Sequence, residues 1–146
     1  KTYEIDSHSD NKTGNASGQL VGGNLSLLTA ALGSNTQLDT KGKIIFLEEI
    51  GEHKYHIDRQ LQSLKRAGYF DHCVAVIVGD MSKLRTNTPA WGQSIEALIL
   101  NILKDSNAAV VFGFPAGHEL ENRALYFGRT IQLNMTKSKT HISFVD

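Results

Sequence analysis

Ile44-Ile45-Phe46-Leu47-Glu48-Glu49 is a continuous apolar run closed by two acidic residues, and it sets the architecture of the chain. Four consecutive apolar residues predict a strand covered on both faces, because a strand with one face in water alternates apolar and polar side chains. The run ends abruptly on two carboxylates, so a buried strand delivers two acidic groups at its carboxyl end. Working outward, Cys73 to Val78 and Ala108 to Phe112 have the same apolar character and predict two more buried strands. Between the first two, Ile57, Leu61 and Leu64 recur at helical spacing among Asp58, Arg59, Lys65 and Arg66, and Gly68 follows, so residues 54 to 67 predict an amphipathic helix. A second helix is predicted from Ser94 to Lys104, apolar on Ile95, Leu98, Ile99, Ile102 and Leu103.

Upstream, Gly18 to Gly22 predicts a short strand and Asn24 to Leu32 a buried helix closed by Gly33, with Asn24 as candidate N-cap. Residues 1 to 6 are strand-like, and the polar stretch from Asp6 to Ser17 predicts a long loop or a flap. Downstream, Gly113 to Glu119 is an irregular loop, and short alternating stretches around Leu125, Ile131 to Leu133 and His141 to Val145 predict an antiparallel hairpin or edge strands. Buried strands alternating with helices imply crossover connections. The fold class is therefore α/β, with a mixed, largely parallel sheet, in a single domain over residues 1–146.

Fifteen basic and fifteen acidic residues give zero formal net charge, which leaves no strong field for nucleic acid or an anionic membrane surface. The apolar runs are too short for a membrane span, which takes roughly 20 residues. The single cysteine, Cys73, rules out a disulfide within the chain and reads as a small buried hydrophobe. The chain begins on Lys1 in the middle of a pattern, which suggests a portion of a longer protein.

In open parallel sheets the functional crevice lies beyond the carboxyl ends of the strands. Glu48 and His118 both fall there, 70 residues apart in sequence. A carboxylate beside a histidine accepts its Nδ1 proton and leaves Nε2 to act as general base, which makes two parts of a catalytic triad. The pattern alone equally allows Glu48 to cap a helix and His118 to satisfy a turn. No serine lies in a Gly-x-Ser-x-Gly elbow, so a catalytic pair would need a nucleophile from elsewhere. The turn Gly22-Gly23-Asn24 is either an anion cradle or a tight turn requiring small residues. His53 and His56 near Glu52 and Asp58 have metal-compatible chemistry but lack a zincin spacing, and no metal is expected. Asp58 and Arg59 read as a surface pair or a support for the site, and Trp91 as a packing anchor or a substrate contact.

Read together, these motifs resemble the LD-carboxypeptidases, serine peptidases that include muramoyltetrapeptide carboxypeptidases and microcin-immunity peptidases. Gly18-Gln19-Leu20-Val21-Gly22-Gly23-Asn24-Leu25-Ser26-Leu27-Leu28 is similar to the signature opening the family's C-terminal domain. Ile44 to Glu52 resembles its strand ending in Leu-Glu-Asp, with Glu49 here in place of the aspartate. Tyr55-His56-Ile57-Asp58-Arg59-Gln60-Leu61 resembles the helix that follows, and Gly117-His118 with Asn122 and Gly128 the segment bearing the histidine.

The resemblance implies a swivelling β/β/α-type fold with catalytic Glu48 and His118, no cofactor and no metal. It implies that the serine resides on an N-terminal domain of the same protein, absent from this chain, so that the isolated domain is inactive. It further implies release of terminal D-alanine from muropeptide tetrapeptides in the cytoplasm during peptidoglycan recycling, and a homodimer that binds neither nucleic acid nor membrane. The microcin-immunity relatives instead cut peptide-nucleotide conjugates. A non-catalytic interaction or dimerisation module is the alternative from a different class.

Overall fold

The computed structural model describes residues 1–145. Its elements follow in the order β1 (Thr2–Asp6), β2 (Asn15–Asn24), α1 (Leu25–Ala30), β3 (Ile44–Ile50), α2 (Lys54–Arg66), β4 (Ala75–Ser82), α3 (Ile95–Ile102), β5 (Ala109–Val111), β6 (Thr130–Met135) and β7 (Lys139–Val145). The strands are ordered β1-β7-β6-β2-β3-β4-β5. Pairings β2·β3, β3·β4 and β4·β5 are parallel, whereas β1·β7, β7·β6 and β6·β2 are antiparallel. The α/β class with a mixed sheet holds, and the antiparallel part is a full partner of the parallel one.

Strand β2 joins the two parts. Asn15 to Gln19 pair with β6, and from Leu20 onward the same strand pairs with β3. Side chains then sort into two cores by the period-2 rule of strands. Ile45, Leu47, Val76, Val78 and Val110 meet the buried stripes of α1, α2 and α3. Ile44, Phe46, Ala75, Ile77 and Val111 face the other way and meet Ile131, Leu133, Met135 and Ile142 of the antiparallel strands. The chain is thus layered as antiparallel strands, parallel strands and helices, which is why β3 has apolar residues at consecutive positions. Among the described residues no helix is long and apolar enough to cross a membrane.

Several boundaries differ from the sequence-based expectation. Strand β3 continues through Glu48 and Glu49 to Ile50, and β4 reaches Ser82 instead of stopping at Val78, because Glu49 and Ile50 pair with Met81 and Ser82 through the backbone. A ladder depends on backbone N–H and C=O groups, so polar side chains at a strand end do not terminate it. Strand β2 likewise starts at Asn15, shortening the polar loop. That loop is not a free flap: Lys12 bridges Val110, and the Asn11 Oδ1 accepts from the Phe112 N–H at 2.8 Å, so it lies along the open edge of β5. The hairpin β6–β7 is as expected, but residues 113 to 129 around Leu125 form no strand.

Candidate active site

Glu48 sits on β3 opposite Asn24 of β2, near the carboxyl end of the parallel strands. It points to the side of the sheet that Phe46 faces, and it is only 6 % exposed. His118 arrives in the irregular segment after β5, and its side chain is 45 % exposed. The two meet with His118 Nδ1 2.8 Å from Glu48 Oε2. An ionised carboxylate only accepts hydrogen bonds, so Nδ1 carries the proton and Nε2 presents its lone pair. Nε2 has no hydrogen-bond partner among the described residues. A base so oriented can take a proton from a group delivered to it.

Glu48 lines a groove of about 250 Å³ together with Gly23, Gly117, Ala124, Leu125 and Phe127. The Phe127 ring rests against Phe46 at 5.9 Å between centroids and stays about half exposed. No serine, threonine or cysteine lines this groove. Cys73 stands before the start of β4, at the opposite end of the parallel strands, and burial pushes its thiol up to about 11. It is therefore a packing residue, not a thiolate nucleophile.

The segment around His118 is held by residues that sequence reasoning left unassigned or named only as part of a motif. Asn122 spans Gly117 from both sides: its Nδ2 donates to the Gly117 carbonyl at 2.9 Å and its Oδ1 accepts from the Gly117 N–H at 3.4 Å. Asp80 on β4 accepts from the Glu119 N–H at 3.3 Å. The rule that singled out Glu48 and His118, a polar residue following an apolar run, would have found Asp80 after Val74 to Gly79. The strand predicted over Cys73 to Val78 stops two residues short of it.

The other candidates are put to different uses. Asn24 caps α1, accepting from the Leu27 N–H at 3.2 Å. The proposed anion cradle is already filled by the chain's own Glu49, whose carboxylate accepts from the Ser26 N–H and Oγ and from Asn24 Nδ2. Gly22 before it answers to the close approach of β3: a Cβ there would lie 2.0 Å from the Phe46 carbonyl oxygen. His56 bonds Glu52 at 2.6 Å while His53 bonds Asn87 at 2.9 Å, so the two histidines have separate partners. Arg59 stacks over Tyr55 and forms no salt bridge with Asp58 among the described residues. Trp91 is half-buried beside Asp58, with its Nε1 buried and without a hydrogen-bond partner among the described residues.

The LD-carboxypeptidase C-terminal domain model matches residues 17–133. A probable murein peptide carboxypeptidase of Bacillus subtilis is 33 % identical over 141 residues, covering 97 % of this chain and 44 % of that protein. Among solved structures, muramoyltetrapeptide carboxypeptidase from Oxalobacter formigenes superposes with a TM-score of 0.89 at 27 % identity, over 99 % of this chain and 50 % of that one. The microcin C7 self immunity protein MccF shares the fold, with a TM-score of 0.80 at 21 % identity over 96 % of this chain and 40 % of that one. The chain spans half or less of the length of each. With four-fifths of its residues inside one family model and the same architecture in these relatives, this chain belongs to the LD-carboxypeptidase C-terminal domain family.

Proposed function

We propose that this chain supplies the base and its orienting carboxylate to a serine-type LD-carboxypeptidase that releases terminal D-alanine from muropeptide tetrapeptides. The observation that carries the reading is the 2.8 Å bond between His118 Nδ1 and Glu48 Oε2, with the far ring nitrogen unpartnered among the described residues and Glu48 itself lining a groove. The murein-peptide relatives support the substrate class. In this reading the serine comes from an N-terminal domain of the same protein, and it attacks the carbonyl before D-alanine. His118 Nε2 takes the serine proton and passes it to the departing amine, while Glu48 stabilises the imidazolium. Water then cleaves the acyl-enzyme with His118 again as base. The chain alone is inactive, because it brings no nucleophile to the groove. The reaction belongs to peptidoglycan recycling in the cytoplasm, carried out by a homodimer that needs neither metal nor cofactor.

The test is D-alanine release from a muropeptide tetrapeptide by the complete enzyme and by the 146-residue chain. Only the complete enzyme should turn over, and His118→Ala and Glu48→Gln should each lower kcat by about 10³-fold or more. Wild-type turnover by either variant would overturn the triad. Cleavage of a peptide-nucleotide conjugate in preference to the muropeptide would move the substrate class to that of the microcin-immunity relatives.

A further inference from the structure

We infer that Asp80 is a positioning residue for His118, acting through the backbone on both sides of it. The inference rests on the catalytic reading of His118 and adds a residue on a different strand that the reading did not contain.

The pairing of β3 with β4 shifts register near its carboxyl end. Leu47 pairs with Val78, but the next pairing is Glu49 with Met81, so β4 carries one residue more than β3 over this interval. An extra residue re-aims the side chains and N–H groups around it. Gly79 and Asp80 occupy the bulge, directly across from Glu48. Two consequences follow in the segment bearing the histidine. The Asp80 N–H is free of the ladder to β3 and donates to the Ala116 carbonyl at 2.9 Å. The Asp80 carboxylate turns toward the same segment, where Oδ2 accepts from the Glu119 N–H at 3.3 Å. One residue thus grips the chain at 116 and at 119, and His118 lies between the two grips.

The packing is close enough for the grip to define geometry. A Cβ on Gly79 would lie 2.4 Å from the Ala116 carbonyl oxygen, so the bulge admits no side chain there. A Cβ on Gly117 would lie 2.8 Å from Asp80 Cβ, and Gly117 has φ +145°, a conformation natural only to glycine. Asp80 and residue 117 therefore touch without room for adjustment. Asn122 fixes Gly117 from the other side. The histidine itself is nearly half exposed, and it makes one hydrogen bond among the described residues. A ring so lightly held by its own contacts depends on its backbone for placement, and a base displaced by about 1 Å can lose on the order of 10²-fold in rate.

The measurement is steady-state D-alanine release from a muropeptide tetrapeptide by the complete enzyme carrying Asp80→Ala, Asp80→Asn or His118→Ala, with a thermal melt of each. Asp80→Ala should lower kcat by about 10- to 100-fold with KM within about threefold of wild type. Asp80→Asn keeps an acceptor oxygen for the Glu119 N–H and should recover kcat to within about threefold of wild type. A residue that serves folding alone would lower the melting temperature and not split kcat from KM. Should Asp80→Ala lose its cooperative melt, Asp80→Ser takes its place with the same expected loss of kcat. Wild-type kcat in the alanine or serine form overturns the inference. So does an asparagine form as slow as the alanine form, which would mean that charge rather than backbone placement matters. If His118→Ala abolishes turnover while Asp80→Ala does not, only this inference fails. If His118→Ala turns over normally, the catalytic reading beneath it fails.

Discussion

On one side of β3, Glu48 accepts a hydrogen bond from a half-exposed histidine beside an open groove. One residue later, on the helix side, Glu49 is 2 % exposed and accepts from Asn24 Nδ2, the Ser26 N–H, Ser26 Oγ and the Ile50 N–H. The two carboxylates are chemically alike and adjacent, and the alternation of a strand sends them to opposite layers. Glu49 is consumed by structure: it closes the start of α1, and through Ser26, which accepts from Gln60 Nε2 at 2.8 Å, it ties α1 to α2. Glu48 keeps its capacity for chemistry because few groups compete for it. An acidic pair at a strand end therefore divides its labour by parity, one member stabilising the scaffold and the other serving the groove.

The comparison breaks most visibly if the pair is exchanged in function. His118→Ala and Glu48→Gln should abolish turnover in the complete enzyme; the exposed His118→Ala should move stability by no more than about 0.5 kcal/mol, and Glu48→Gln, which keeps the buried shape and an acceptor oxygen, by about 1 kcal/mol. Equilibrium unfolding in urea alongside the activity measurement checks this. Glu49→Ala should do the reverse at the level of the fold. It leaves the partly buried Ser26 N–H and Asn24 amide without their acceptor and should cost about 2 kcal/mol. A Glu49→Ala protein as stable as wild type would end the assignment of Glu49 to the scaffold.

Asn24→Ala gives a smaller and sharper effect. It removes the cap on the Leu27 N–H and one of the donors to Glu49, and should cost about 1 kcal/mol in urea. If Asn24 and Glu49 act as one network, the double variant should lose less than the sum of the singles. The smallest effect is expected from Cys73, before the other end of the parallel strands. Burial raises its thiol from the ordinary 9.0 to about 11, so between those values the folded chain holds a proton that the unfolded chain has lost. Its contribution to stability is complete below about pH 9 and is lost as pH rises toward about 11. Urea midpoints for wild type and Cys73→Ala at about pH 8 and about pH 10.5 should show a steeper fall for wild type.

The buried strands, the amphipathic stripe on α2 and the Asn24 cap were all legible in the sequence, because each depends on residues near one another in the chain. The strand ends were not. Glu48, Glu49 and the Gly79 to Ser82 stretch are polar or small, and only their backbone pairing with neighbouring strands keeps them in the sheet. The two readings of Gly22-Gly23-Asn24 stayed open for a related reason: the carboxylate that accepts from Asn24 Nδ2 and the Ser26 N–H comes from another strand, invisible to a local reading. His118 was legible as a candidate, whereas Asp80 and its hold on the histidine segment depend on a one-residue register shift that no composition announces.

By itself the sequence determined the α/β class, the apolar faces and the chemical identity of Glu48 and His118, since hydrophobic periodicity and residue type are written position by position. The resemblance had already pointed to Glu48, and only the tertiary structure gives the reason that it, and not Glu49, meets the histidine. That choice depends on strand parity, on the handover of β2 between the antiparallel and parallel parts of the sheet, and on a bulge that brings residues 48, 80 and 118 to one place. Contacts across such separations arise only when the whole sheet closes.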